Sequence, residues 1–263
     1  MTPGTNDPKT NAPAQPVLTV VFPAFNEAEN VGPLVDEICA ALNTLGQPYE
    51  IIATDDCSDD NTVDVLEGRA QGGAPLRVLK HVARSGQSSA LVSGIRNARS
   101  PAIATLDGDG QNDPADIPVL FKTWTEAIDK EELMVAGWRA TRKDTWIKRV
   151  SSRIANRVRG GLLRDQTPDT GCGLKVFSRD LFLSFPTFNH MHRFMPALTI
   201  RAGGRVTSVK VNHRQREGGV SKYGTLDRLA VGIFDIMGVL WLIRRPLNPQ
   251  THPELLQDKD AAS

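Results

Sequence analysis

The chain has 263 residues, of which 40% are hydrophobic and 23% are charged, and this composition is ordinary for a globular protein of one or two domains. Its formal net charge of +1 argues against a protein that coats nucleic acid. The three cysteines, Cys39, Cys57 and Cys172, are widely spaced, which predicts reduced thiols in a cytosolic setting rather than a disulfide framework or a zinc site.

The two ends of the chain differ in composition from the middle. Residues 1–16 are rich in Pro, Thr, Asn and Ala and lack an apolar run, so we expect a disordered leader and not a signal peptide. Residues 246–263 are similarly polar and are expected to form a disordered tail. Between these ends we expect an α/β domain over residues 17–225 and an amphipathic helix over residues 226–245.

From residue 17 to residue 137, short apolar runs alternate with longer amphipathic stretches. The runs predict buried strands at residues 17–22, 49–54, 76–80, 102–106 and 133–137. The amphipathic stretches predict helices at residues 28–45, 62–70, 87–98 and 114–128, with Asn26 and Asp113 as caps of the first and the last. Such alternation predicts a mostly parallel, Rossmann-like sheet flanked by helices.

Polar residues follow three of these strands directly. Residues 23–27 follow the first strand, Asp55 and Asp56 the second, and a turn with Asp107 and Asp109 the fourth. Ligands of parallel sheets bind beyond the carboxyl ends of the strands, so these segments are expected to share one edge. Two carboxylates one residue apart can hold a hard divalent cation, although a solvated Asp/Gly turn has the same composition. Glycine-rich dinucleotide and P-loop motifs are absent from the sequence.

Two later segments are candidates for contact with an anion or a membrane. Nine basic residues stand between Trp138 and Arg164 against one acid: Arg139, Arg142, Lys143, Lys148, Arg149, Arg153, Arg157, Arg159 and Arg164. Residues 229–243 are apolar except for Asp235 and lead into Arg244 and Arg245. A spanning helix takes about 20 apolar residues, so this stretch predicts a helix that lies on a membrane surface or docks on protein.

These segments resemble the inverting glycosyltransferases of family 2, most closely the dolichol-phosphate mannosyltransferase-like branch that makes polyprenyl-phosphate sugars. The resemblance covers residues 17–245 and rests on residues 21–27, 54–62, 107–111 and 213–223. It implies a GT-A fold with C-terminal interface helices. The sequence departs from the familiar motif at Cys57, where Gly or Asn is usual, and at Asn61, where Gly is usual. Relatives often continue into transmembrane helices, and none is evident in this sequence.

On the donor side, the resemblance implies that Pro23, Phe25 and Glu27 line the pocket of the nucleotide base. Asp55 or Asp56 is expected to accept a hydrogen bond from the base or the ribose. Residues 84–88 precede a helix whose first amides are expected either to help hold an anion or to form only a loop and cap. Asp107, which also faces the nucleotide, is expected with Asp109 and Gln111 to bind Mg²⁺ or Mn²⁺.

On the acceptor side, the resemblance implies a phosphate site built from basic and hydroxyl side chains. Its expected members are Arg139, Arg153, Arg214, Arg216, Ser221 and Lys222. Arg216 is also expected to be catalytic, together with Asp109 and Asp169. A phosphate acceptor needs little help from a base, so orienting an arginine is the preferred role of Asp169.

The resemblance thus implies a metal-dependent hexosyltransferase that acts peripherally at the cytoplasmic face of a membrane. It would move a sugar from GDP-mannose or a UDP-sugar to polyprenyl or dolichyl monophosphate. One alternative is a family 2 transferase that acts on a glycan or soluble hydroxyl, in which Asp169 would be a base. Another is a non-catalytic protein that binds nucleotide sugars.

Overall fold

The computed structural model describes residues 15–139, 160, 161, 163, 165, 167–214 and 225–245. Its strands are β1 (Leu18–Ala24), β2 (Tyr49–Asp55), β3 (Leu76–Lys80), β4 (Ala102–Thr105), β5 (Leu133–Trp138), β6 (Lys175–Ser178) and β7 (Arg205–Lys210). Its α-helices are α1 (Ala28–Asn43), α2 (Thr62–Gln71), α3 (Gln87–Asn97), α4 (Ile117–Thr125), α5 (Arg179–Leu183), α6 (Met195–Arg201) and α7 (Thr225–Ile243). Short 3₁₀ turns occupy Pro114–Asp116, Lys130–Glu132 and Met191–Arg193.

The strands form one sheet in the order β3-β2-β1-β4-β6-β5-β7. β6 pairs antiparallel with β4 and β5, and the remaining neighbours pair in parallel. β1 lies inside the sheet, and its residues Leu18 and Phe22 are fully buried. A strand covered on both faces reads as a continuous apolar run, which is why the sequence predicted it. The mostly parallel α/β fold expected from the sequence is confirmed.

The predicted helix over residues 114–128 is shorter and has two parts. Residues Pro114–Asp116 form a 3₁₀ turn, and α4 then begins at Ile117 with Pro118 in its first turn. Proline lacks a backbone N–H and is favoured in the first turn of a helix, so Pro118 suits the start of a new helix at Ile117. The predicted cap Asp113 is confirmed, because its carboxylate accepts a hydrogen bond from Ala115 N at 3.1 Å.

The predicted cap Asn26 is wrong. Asn26 has φ of 55°, and its side chain exchanges hydrogen bonds with Asp59 instead of with α1. The amides at the start of α1 are satisfied from the start of α2 and the loop before it: Glu27 N donates to Thr62 Oγ1 and Ala28 N to Asp60 Oδ2. The segment after β1 is therefore fixed by the loop after β2.

The chain divides into two compact units, Met1–Lys222 and Tyr223–Ser263. The sheet belongs to the first unit, and its core combines β1, β2 and β4 with apolar residues of α1 and α4. α7 is the described part of the second unit. Among the described residues, the helices are all too short or too polar to cross a bilayer.

Candidate active site

The acidic turn lies at the carboxyl end of β4 and is held from several sides. Asp107 N donates to Asn112 Oδ1 at 3.1 Å, and Gln111 N donates to Asp109 Oδ1 at 3.2 Å. Gln87 Nε2, at the start of α3, donates to Asp107 Oδ1 at 2.9 Å. The turn thus keeps both carboxylates at the edge where β1 and β4 end.

Two glycines let this turn pack closely against its neighbours. A Cβ on Gly108 would lie 2.4 Å from the carbonyl oxygen of Pro23, so the turn contacts the end of β1 directly. A Cβ on Gly173 would lie 2.5 Å from Asp107 Oδ2. Gly173 in turn is joined to β4, since Thr105 Oγ1 donates to its carbonyl oxygen at 2.9 Å. The Asp107 carboxylate therefore lies against a surface that only glycine provides.

The electrostatics of the turn suit a cation. Burial and, after it, the neighbouring Asp109 carboxylate raise the pKa of Asp107, against the opposing influence of Lys175 and Arg139. Carboxylate and amide oxygens are the ligands that Mg²⁺ and Mn²⁺ prefer. Within the described residues, clusters of three or more His, Cys, Asp or Glu side chains suited to a metal are absent.

Lys175 is a buried lysine close to the turn that the sequence analysis did not single out. It begins β6 opposite Thr105, is 3% exposed, and donates from Nζ to the carbonyl oxygen of Cys172. Burial lowers the pKa of Lys175, while the nearby Cys172, Asp107 and Asp169 oppose this. No sequence pattern indicated it, because its burial results from the pairing of β6 between β4 and β5.

Arg139 and Asp169 form a buried ion pair at the end of β5. Arg139 Nε lies 2.6 Å from Asp169 Oδ2, and Arg139 Nη2 lies 2.9 Å from Asp169 Oδ1. Both side chains are 7% exposed. Such bidentate pairing fixes the plane of the guanidinium group. The pairing raises the pKa of Arg139 above its ordinary value despite its burial.

Of the candidate base-pocket residues, Pro23 lies near the end of β1, and Phe25 and Glu27 follow that strand; each of the three is partly buried. Glu27 Oε2 accepts from Asn30 Nδ2 at 2.5 Å in the first turn of α1. Phe25 carries a cation on its face, since the guanidinium carbon of Arg84 lies 4.0 Å from the ring centroid.

Asp55 and Asp56 are buried and have different partners. Asp55 accepts from the backbone N and the hydroxyl of Ser58, so it shapes the loop after β2. Asp56 accepts from His81 Nδ1, Ser85 N and Gly86 N, each at 2.8 Å. The amides of Ser85 and Gly86, just before α3, thus hold a carboxylate of the chain itself.

Arg214, expected at the acceptor phosphate, contacts two carboxylates. Its Nη1 lies 2.6 Å from Glu37 Oε2, and its Nη2 lies 2.8 Å from Asp113 Oδ1. Its backbone N donates to Gln111 O, next to the isolated bridge between Asn112 and His213. The acceptor candidates Arg153, Arg216, Ser221 and Lys222 lie outside the described residues.

A neutral histidine lies beside the start of α3. His192 Nδ1 is 2.8 Å from Ser88 Oγ, one residue after the Gln87 that contacts Asp107. Burial lowers the pKa of His192 to about 3, so the ring is uncharged near neutrality. It therefore adds a hydrogen bond but no positive charge to this edge of the site.

The family model described as Glycosyl transferase family 2 matches residues 19–184 of this chain. Dodecaprenyl-phosphate galacturonate synthase of Rhizobium johnstonii is 36% identical over 251 residues, which cover 94% of this chain and 72% of that protein. Undecaprenyl-phosphate 4-deoxy-4-formamido-L-arabinose transferase of Serratia proteamaculans is 34% identical over 225 residues, which cover 85% of this chain and 67% of that protein. Both relatives are longer than this chain.

Solved structures resemble the fold at low sequence identity. Mannosyl-3-phosphoglycerate synthase from Rubrobacter xylanophilus superposes with a TM-score of 0.66 at 18% identity, covering 90% of this chain and 77% of that one. Glucosyl-3-phosphoglycerate synthase from Mycobacterium tuberculosis, solved with Mn²⁺, uridine diphosphate and glucosyl-3-phosphoglycerate, gives 0.65 at 20% identity, covering 90% and 82%. Mannosyltransferase PcManGT from Pyrobaculum calidifontis, in complex with GDP-Man and Mn²⁺, gives 0.61 at 20% identity, covering 90% and 67%.

Proposed function

Because the chain belongs to glycosyltransferase family 2 and has the GT-A fold, we propose that it transfers a sugar from a nucleotide-sugar donor to a polyprenyl monophosphate. The observation that carries the transferase function is the pair of carboxylates, Asp107 and Asp109, fixed at the carboxyl end of β4. The polyprenyl acceptor is supported by the names of the two curated relatives, both of which contain a polyprenyl phosphate.

On the donor side, Asp107, Asp109 and Gln111 would hold Mg²⁺ or Mn²⁺. When bound, such an ion neutralises charge on a leaving nucleoside diphosphate. Gln87 orients the Asp107 carboxylate by its hydrogen bond, and Gly173 leaves that carboxylate its space. The solved neighbours with Mn²⁺ and a nucleotide support this choice of ion.

On the acceptor side, the reaction needs an oriented anion and not a strong base. A phosphate monoester is largely dianionic near neutrality, since its second pKa is about 6. Its oxygen attacks the anomeric carbon from the face opposite the leaving group, which inverts that centre. Asp169 has both oxygens on Arg139, which supports the role of an orienter that aims the guanidinium at the phosphate. Arg153, Arg214, Arg216, Ser221 and Lys222 complete the proposed phosphate site.

We propose that the transferred sugar belongs to a wider class than mannose alone. The relatives are named for galacturonate and for 4-deoxy-4-formamido-L-arabinose. A donor panel for this chain should therefore contain uronic acid and amino-pentose nucleotides beside GDP-mannose and UDP-glucose. We propose that transfer takes place at the cytoplasmic face of a membrane, where the chain is peripherally bound through α7.

The test is a panel of nucleotide sugars incubated with undecaprenyl phosphate, Mn²⁺ and the protein, with the lipid-linked product detected by mass spectrometry. Asp109→Asn should abolish product, whereas the matched variant Asp64→Asn, at an exposed position of α2, should retain it. Absence of product from every donor, or equal transfer to simple alcohols, would contradict the proposed acceptor.

A further inference from the structure

Asn112 is a buried polar side chain that joins two loops of the candidate site. It is 2% exposed and lies in the acidic turn, five residues after Asp107. Its Oδ1 accepts a hydrogen bond from Asp107 N at 3.1 Å, and its Nδ2 donates one to Cys172 Sγ at 3.7 Å. An amide side chain has an acceptor at one end and a donor at the other, so this residue holds both partners at once.

Cys172 is held at its backbone as well as at its sulfur. Its carbonyl oxygen accepts a hydrogen bond from Lys175 Nζ, and its backbone N donates to Asp169 O at 3.4 Å. These contacts and the hydrogen bond from Asn112 restrain Cys172 from several sides. The position of Cys172 therefore fixes the loop between Asp169 and Gly173.

This loop returns to the acidic turn. A Cβ on Gly173 would lie 2.5 Å from Asp107 Oδ2 and 2.7 Å from Asp107 Oδ1, so the loop packs directly against that carboxylate. Asn112 is thus joined to Asp107 in two ways, through the backbone N of Asp107 and through the loop beside its carboxylate. The same loop carries Asp169, whose two oxygens hold Arg139.

We propose that Asn112 is a positioning residue that holds the Asp107 carboxylate in place against the loop of Asp169 and Gly173. This inference rests on the proposed function, in which Asp107 binds the metal ion of the donor. Groups that orient a metal ligand from behind are worth about 10–100-fold in metal affinity or activity. Asn112 acts through Asp107, which separates its role from the direct contact with the ion that we propose for Gln111.

The test replaces Asn112 with Leu, which keeps the branched shape of the side chain and removes its polar atoms. Binding of UDP and GDP to the full chain is measured by calorimetry over a range of Mn²⁺ concentrations. For the preferred nucleotide, Asn112→Leu should raise the half-saturating Mn²⁺ concentration at least about tenfold, because a displaced Asp107 holds the ion less tightly. Excess Mn²⁺ should restore the wild-type nucleotide affinity, which a general loss of structure would prevent.

Thr19→Val is the matched control, because it also removes a buried hydrogen bond. Thr19 is fully buried near the start of β1, away from the site, and donates to Glu50 Oε1 at 2.8 Å. This variant should need no more Mn²⁺ than the wild type. A requirement of Asn112→Leu within about twofold of the wild type, or an affinity that excess Mn²⁺ does not restore, would overturn the inference alone. Failure of the wild type to bind UDP and GDP with Mn²⁺ would overturn the proposed function.

The link through Cys172 is tested with a double-mutant cycle. If Asn112 acts in part through Cys172, Asn112→Leu combined with Cys172→Ala should lose less Mn²⁺ affinity than the two single losses predict together. Additive losses would overturn this link. Should Asn112→Leu fail to fold, Cys172→Ser is compared with Cys172→Ala. Serine keeps an acceptor for Asn112 and should need less Mn²⁺ than alanine, and equal requirements would overturn the inference.

Discussion

Cys57 occupies a backbone conformation that side chains other than Asn and Gly rarely adopt. Its φ is 65°, in the left-handed region, and it stands between Asp56 and Ser58 in the loop after β2. The left-handed conformation costs a residue with a Cβ roughly 1–2 kcal/mol. This explains why the related motif has Gly or Asn at this position. The motif alone showed the preference but not its physical cause.

Substitutions at Cys57 should therefore change the free energy of unfolding according to backbone preference. Cys57→Gly is expected to stabilise the chain by up to about 1 kcal/mol, and Cys57→Val to destabilise it by a similar amount. Cys57→Ala is the control, because it removes the exposed thiol but keeps the strained Cβ. Urea unfolding gives the values. Equal stability of the Gly and Val variants would contradict this account of the loop.

The buried pair of Arg139 and Asp169 should behave as a unit. Asp169→Asn leaves a guanidinium buried without its counter-charge, and removal of one partner of such a pair costs about 3–5 kcal/mol. The double variant Arg139→Met with Asp169→Leu should recover most of that loss, because it buries no unpaired charge.

The same variants separate stability from transfer. We expect both Asp169→Asn and the double variant to lack transferase activity, although only the single variant is strongly destabilised. Urea unfolding and the lipid-product assay measure the two effects independently. A double variant less stable than Asp169→Asn would show that packing, and not charge pairing, dominates here.

At the scale of elements, the acidic turn depends on two glycines that face different kinds of atom. Gly108 faces a backbone carbonyl at the end of β1, which cannot move without the strand. Gly173 faces the carboxylate of Asp107, which can turn away. Gly108→Ala is therefore expected to lower the free energy of unfolding by about 2 kcal/mol, as overpacking does.

Gly173→Ala should impair nucleotide binding more than it lowers the free energy of unfolding. We expect little loss of stability but at least about tenfold weaker Mn²⁺-dependent nucleotide binding, because the displaced carboxylate loses its orientation. Gly68→Ala in α2 is the control, since a Cβ there meets no atom within 4 Å. If Gly173→Ala bound nucleotide normally in the presence of Mn²⁺, Asp107 would not be the ligand that we propose.

The sequence predicted those elements whose burial can be inferred from their own residues. β1 to β5 were placed to within two residues at each end, because β1, β2, β4 and β5 are buried strands rich in apolar residues and the edge strand β3 still has three apolar residues of five. β6 was missed because it has only four residues and begins with Lys175, a charged side chain whose burial depends on its neighbours. β7 was missed because only two of its six residues, Val206 and Val209, are apolar, so that it forms no continuous apolar run.

The candidate site was also predicted only where the local sequence determines it. The sequence predicted the acidic turn and the grouping of residues after β1, β2 and β4, because strand ends share an edge. It did not predict the contact of Arg84 with Phe25 or the hydrogen bonds of Asp56, since these join loops that are distant in the chain. Contacts of that kind depend on the assembled sheet and leave no periodic pattern.

On the scale of the whole molecule, the second unit presents an apolar surface. Phe234, Met237 and Trp241 recur at helical spacing on α7 and are 71%, 51% and 62% exposed. Arg244 and Arg245, also exposed, follow the helix directly. An exposed apolar stripe with basic residues at one end is typical of a helix that lies in a membrane interface.

We therefore expect the chain to bind vesicles that contain phosphatidylglycerol. Replacing Phe234, Met237 and Trp241 with Ser should reduce the bound fraction at least about tenfold, because each buried apolar side chain contributes roughly 1.5–3 kcal/mol. Ile128→Ser is the control, since Ile128 is an even more exposed apolar residue outside α7. Vesicle flotation measures the bound fraction, and unchanged flotation of the triple variant would exclude α7 as the anchor.

The hydrogen bond from Arg214 N to Gln111 O and the bridge between Asn112 and His213 attach the chain before residue 215 to the acidic turn. If binding of the sugar nucleotide shifted the acidic turn, these backbone contacts would pass the shift on to residue 214. The segment that follows residue 214 carries Arg216, Ser221 and Lys222, which we propose to bind the lipid phosphate. The enzyme would then show compulsory-order kinetics, with the sugar nucleotide as leading substrate and a lipid affinity that rises after it has bound.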